Sequence, residues 1–269
     1  MLLQLLTHPQ LLSDSQFLLS LLAEICYFIP AMIIALTLHE CAHAYVAFRC
    51  GDPTAKMLGR MSLNPGAHLD LRGSLCLLLF GFGWAKPVPV NPRNYKSFKR
   101  DEFFVSFAGI AANLIQFLLA TALGIVCVRL MIPKETLNQI TNEFGSRFFF
   151  GFDELGYRVF NTDRPGDYLL FALEYPWLQY VYRFLCVYAE LNMTLALFNL
   201  LPIPPLDGYH ILNDIIGGRL RIPQKFMQAL LPILIVLNFA TGWIGTYIHT
   251  CSVWVQSGAL RLLLPLFGL

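Results

Sequence analysis

The sequence predicts an all-α, polytopic membrane protein of about four to six membrane helices, with a re-entrant or extended segment close to a buried polar site. Three observations carry that expectation. Of 269 residues, 56% are hydrophobic and only 13% charged, and the mean hydropathy is +0.57, which sets the chain apart from ordinary soluble domains. The apolar residues are gathered in blocks long enough to cross about 30 Å of hydrocarbon. Inside the first block, "LTLHECAHAYVA" (36–47) places two histidines and a glutamate where ionisable groups are costly.

Taken in order, the first helix is expected from about Ser15 to Arg49, with Ser13, Asp14 and Ser15 as possible N-caps and "RCGDPT" as its stop. The first 35 residues lack the basic start of a cleaved signal peptide and run straight into the histidine motif, so they read as a retained anchor. "GRMSLNPGAHLDLRGS" follows, rich in Gly and Asn-Pro turn signals, and then "LCLLLFGFGWA", which is too short to span. "KPVPVNPRNYKSFKR" has prolines at 87, 89 and 92 and is therefore extended or looped. Residues 103–131 and 181–201 each read as a spanning helix, and 226–248 and 252–267 as two further candidates. Between the middle pair, the aromatics of the 133–178 loop ("RFFFGF", "EYPWLQYVY") suit a membrane-water interface. With no long linker and no internal repeat, residues 1–269 form a single membrane-embedded domain.

Charge orients these elements. Residues 49–100 carry nine Lys/Arg against Asp52 and Asp70, whereas the 133–178 loop has seven acids against four bases and the first 35 residues have no Lys or Arg. The basic stretches are expected in the cytoplasm, the N-terminus and the 133–178 loop outside. Residues 75–83 must then dip in and return, which is tolerated only against protein or a hydrated cavity. The net charge of +2 says little about partners, but there is no Lys/Arg block of the kind a nucleic-acid binder shows, so no nucleic acid is expected as a partner. Seven cysteines without a C-x-x-C pair argue against a thiolate zinc site or a disulfide framework.

In H-E-x-x-H the two histidines are four residues apart, so on a helix His39 and His43 share one face and can share one metal. Glu40 beside them can reach activated water as a general base. Zinc needs a third protein ligand and an open fourth position; His68, Asp70, Asp207 and His210 are the candidates. Asp207 lies in "NLLPIPPLDGYH", where three prolines interrupt a helix, and a broken helix can turn a side chain toward a buried site. Depth favours it, because His39 and His43 lie about 9 to 15 Å inside Arg49 at 1.5 Å per residue, and Asp207 lies similarly close to the basic turn at 219–225.

"HECAH" in one membrane helix with "NLLPIPPLDG" in a later one resembles the site-2 protease family of intramembrane zinc metalloproteases. "GDPTAKMLGRMSLNPGAHLD", "FGWAKPVPVNPRNY" and "FAGIAANL" are similar to its small prokaryotic-type branch. The resemblance implies one zinc ion per chain held by His39, His43 and Asp207, with Glu40 as base and Asn199 polarising the scissile carbonyl or holding the substrate strand. It also implies transmembrane protein or peptide substrates, and a multi-pass protein of the cell (inner) membrane with its active site near the cytoplasmic side. "KPVPVNP" offers a strand edge for an unwound substrate; a proline-stiffened connector is the plainer reading. The chain departs from the family pattern at Ile110, where Pro is usual, and at Tyr209, where a second Gly is usual. His68 and Asp70 read as loop braces, and Glu24 and Glu190 as interhelical partners. A membrane metal-binding or transport protein without peptidase activity is the alternative, although no repeat of matched broken helices supports transport.

Overall fold

A computed structural model of the chain describes residues 15–80, 85–154, 156–157, 173–217 and 241–269, with isolated positions at 223, 230 and 233. The described residues are helical, and the isolated bridge Leu69 to Ala85 is their sole β-pairing. Helix α1 (Ser15–Cys50) matches the expected first helix and runs through Pro30. A one-turn helix α2 (Thr54–Met57) and α3 (Leu71–Phe80) follow, then the long α4 (Phe98–Met131). Helices α5 (Lys134–Phe144), α6 (Leu178–Asn199), α7 (Asp207–Ile215) and α8 (Trp243–Leu263) complete the described elements.

Helices α1, α4 and α6 are long and apolar enough to cross a membrane. At 1.5 Å per residue α4 is about 51 Å long, well beyond the hydrocarbon thickness of about 30 Å. Its excess is the charged start "FKRDE", where the buried Asp101 accepts the Ser97 N–H at 2.8 Å and closes the first turn. The three spanning helices pack on one another, and α7 lies against α4. Interhelical packing in lipid depends on close contact rather than on water exclusion, and small or branched residues supply it here. Ala31 and Ala35 of α1 meet Leu191 of α6, while Ile110 of α4 meets Ala196 of α6 and Ile211 of α7. Ile110 is 2% exposed and Tyr209 5%, so both departures from the family pattern are absorbed as packing.

Two expectations need correction. The expected break between 226–248 and 252–267 is not there: α8 runs unbroken from Trp243 to Leu263, because "IHTCS" (248–252) contains no helix breaker and Thr246 and Thr250 bond back to the carbonyls of Gly242 and Thr246. Most of 226–242 lies outside the described residues. Second, "RFFFGF" does not face an interface. Phe149, Phe150 and Phe152 are buried with Phe117 and Tyr182, held by Gln256, which donates to the Phe150 carbonyl and accepts the Phe152 N–H. Tyr175, Trp177 and Tyr180 remain exposed, as an interface position requires. Glu190, expected as a partner between helices, accepts from Tyr157 Oη, outside its own helix, at 3.3 Å.

The Lys86 N–H donates to the His68 carbonyl at 2.8 Å, across from the Leu69 to Ala85 bridge, so the chain just before α3 and the chain from residue 85 lie side by side. Residues 81–84 lie outside the described set.

Candidate metal centre

His39 and His43 sit one turn apart on α1, and the proline-rich turn after α6 brings Asp207 to them at the first position of α7. His39 Nε2 and His43 Nε2 are 3.1 Å apart, and Asp207 Oδ2 is 3.5 and 3.3 Å from them. Zinc-ligand bonds of about 2.0 to 2.1 Å at tetrahedral angles place ligand atoms about 3.3 Å from one another. The observed triangle has that size. Asp207 Oδ2 is buried without a hydrogen bond, the condition of an acceptor shaped for a cation. Burial pushes the Asp207 carboxyl pKa up, but His43 and His39 outweigh it and hold the group below its ordinary value, anionic as a ligand must be.

The surrounding backbone sets the ring orientations. His43 Nδ1 lies 2.7 Å from the Val105 carbonyl of α4; with its proton there, Nε2 presents its lone pair to the triangle. A Cβ on Gly109, one turn further along α4, would overlap both imidazoles, standing 2.6 Å from His39 Nε2 and nearer still to His43 Nε2. Gly208 has a parallel role: a Cβ there would collide with the Leu200 and Leu201 carbonyls, so only glycine lets α7 lie close enough to the end of α6 to deliver Asp207.

Glu40 is 8% exposed and lines the same cavity of about 320 Å³ as the three ligand candidates. One wall is apolar, with Leu36, Val88, Leu195 and Phe198; Tyr95, Glu102 and His210 give the other a polar character. Glu40 Oε2 accepts the Val88 N–H at 3.1 Å. Asn199 also lines the cavity; its Nδ2 donates to the Leu195 carbonyl of its own helix at 3.0 Å, and the amide has a second N–H to offer.

The extended segment carrying Val88 is anchored at both ends. Before it, the Arg60 guanidinium donates to the Lys86 carbonyl. After it, the fully buried Asp52 accepts the Asn91 N–H at 2.7 Å and Asn94 Nδ2 at 2.8 Å, as well as Thr54 N–H and Oγ1. Burial alone raises the Asp52 carboxyl pKa, but the donors from Asn91, Thr54 and Asn94 win and leave it lowered.

His68, Asp70 and His210 are not brought to the triangle; among the described residues His39, His43 and Asp207 form the group that a metal ion could share. His68 Nε2 lies 2.7 Å from the Ser62 carbonyl, and Asp70 accepts the Gly73 N–H at 2.8 Å, both as loop braces. His210 stands 3.8 Å from Glu102 at the cavity rim. The sequence reading gave no site role to Val105, Gly109, Asp52 or Arg60, although Gly109 lies in the family-like "FAGIAANL" stretch.

The sequence profile of peptidase family M50 matches residues 27–241. The chain belongs to peptidase family M50. That family membership makes it a metalloprotease by descent, and the matched region contains α1 from residue 27 onward, α4, α6, α7 and the whole cavity. Within peptidase family M50, a Bacillus subtilis (strain 168) protein named "Putative zinc metalloprotease YwhC" is 33% identical over 222 residues, covering 82% of this chain and 83% of that protein. Helix α8 falls beyond the family match. No solved structure matches the chain.

Proposed function

We propose that this M50 peptidase is an intramembrane zinc metalloprotease, hydrolysing peptide bonds within or near transmembrane segments of membrane-anchored proteins. The observation that carries the reading is the His39, His43, Asp207 triangle of zinc-sized edges set in helices α1 and α7 beside Glu40. His39, His43 and Asp207 would hold one zinc ion per chain, and that ion supplies the Lewis acidity that makes water a nucleophile near neutral pH.

The chain's own residues do the rest. Glu40 takes the proton from the attacking water and passes it to the leaving amine. Val105 and Gly109 keep the histidines oriented and uncrowded. The apolar wall of Leu36, Leu195 and Phe198 receives side chains leaving the bilayer, while the extended segment at 86–91 pairs with the substrate backbone, since carbonyls in an intact helix are already hydrogen-bonded. Asn199 donates its second amide N–H to the scissile carbonyl or the substrate strand. The basic 49–100 region supports a cavity near the cytoplasmic side of the cell membrane, with 133–178 outside. One domain, 1–269, carries this activity in four to six spans.

The test uses purified protein and a single-span substrate in bilayer nanodiscs. Cleavage should be abolished by a chelator, restored by zinc, and absent with His39→Ala or Asp207→Ala, which should also lose stoichiometric zinc. A non-proteolytic metal carrier would bind zinc through the same residues and yield no peptide product.

A further inference from the structure

Pro87 and Pro89 have no backbone N–H, so within 87–89 Val88 supplies the sole amide donor, and that donor goes to Glu40 Oε2 at 3.1 Å. The donor's place is fixed from outside the cavity. Arg60 and the His68 carbonyl hold Lys86, the buried Asp52 holds Asn91, and both anchors lie within three residues of Val88. Glu40 itself belongs to α1, so this bond is where the extended segment and the histidine helix meet at the cavity.

We propose that the Val88 amide is a positioning group for Glu40: it holds one carboxylate oxygen so that the other is presented to the reacting water, and it ties the base to the segment beside which substrate lies. The inference rests on the reading of Glu40 as general base. A charge-assisted hydrogen bond from a backbone amide restrains a carboxylate more strongly than a neutral pair does, and the amide's own position is set by buried partners rather than by the mobile side chain. Disturbing the segment therefore moves the base while leaving His39, His43 and Asp207 untouched, because none of their contacts passes through Val88.

The test removes the amide hydrogen by proline. Val88 precedes Pro89 and is already confined to extended backbone, so Val88→Pro removes the N–H and sets its ring Cδ where the hydrogen stood, which drives the Glu40 carboxylate from its present place, and Val88→Ala keeps the N–H while trimming the side chain. With the holoenzyme and a single-span substrate, Val88→Pro should keep stoichiometric zinc and a KM within about threefold while kcat falls about 10- to 100-fold, the cost of a misplaced catalytic group. Val88→Ala keeps the N–H but trims the cavity wall, so its cost should fall on KM, with kcat at least about threefold above that of Val88→Pro. In a Glu40→Asp background, whose shorter side chain already loses the amide, Val88→Pro should cost less than about threefold more. For Val88→Pro, a raised KM with unchanged kcat, a parental kcat, a multiplicative loss in the Glu40→Asp background, or zinc loss would each overturn the proposal. Full-rate cleavage by Glu40→Gln would instead remove the base reading beneath it.

Discussion

Gly109→Ala adds one methyl group to α4 at the point where that helix passes under the two histidines. The new Cβ would stand 2.6 Å from His39 Nε2, whereas ordinary contact begins at 3.4 Å, a shortfall of about 0.8 Å for that atom alone. Because the methyl is fixed to helical backbone buried between α1 and α6, the imidazoles must give way. Zinc sites tolerate about 0.2 Å of error in ligand distance, so a shift of this size takes at least one nitrogen out of range. Outer residues that merely orient ligands cost 10- to 100-fold in affinity when changed; displacing a ligand should cost at least about 100-fold. The assay is zinc content at equilibrium with a buffered chelator, with Gly124→Ala on the same helix as control, since its Cβ would meet the Tyr182 ring at an ordinary 3.9 Å. Gly124→Ala should retain zinc and Gly109→Ala should not. Parental zinc affinity in Gly109→Ala would refute the packing argument.

Asp70→Ala should leave zinc stoichiometric, since Asp70 braces Gly73, whereas Asp207→Ala should empty the site; the reverse pattern in metal analysis would assign the third ligand elsewhere. Asp52→Asn should free the 86–91 segment, seen as faster hydrogen exchange at the Asn91 amide. Because the folded Asp52 pKa is lowered, its contribution is present above the unfolded value of about 3.9 and lost as pH falls through the folded value. The parent and Asp52→Asn should therefore converge in acid, and a difference that widens there would reverse the sign. Cysteine-accessibility labelling should place positions 96 and 153 on opposite faces of the membrane; labelling of both from one side would overturn the assigned orientation.

The long helices were legible because each rests on a local property: a run of apolar residues, bounded by Gly-Asp-Pro after Cys50 or by the prolines after Asn199. His39, Glu40 and His43 were legible for the same reason, since helical spacing alone puts the two histidines on one face. Asp207 needed the broken helix and matching depth, and the triangle of 3.1 to 3.5 Å then shows the two elements meeting. What stayed hidden depends on distant contact. Nothing local to Val105 announces that its carbonyl orients His43 from 62 positions away, and Asp52 reads as part of a helix stop although it anchors Asn91, 39 positions further on. "RFFFGF" misled because aromatic composition suits both an interface and a core; Gln256, from beyond the family match, decides for the core.

Glu40→Gln tests the central claim most directly, because it keeps the side chain's shape and the three ligands while removing the carboxylate that accepts a proton. Zinc content and cleavage of a single-span substrate are measured on the same preparation, free of other proteases. The account predicts stoichiometric zinc together with a loss of cleavage of at least roughly 100-fold, the lower end of what positioned acid-base catalysis contributes. Full-rate cleavage by Glu40→Gln with zinc in place would contradict it.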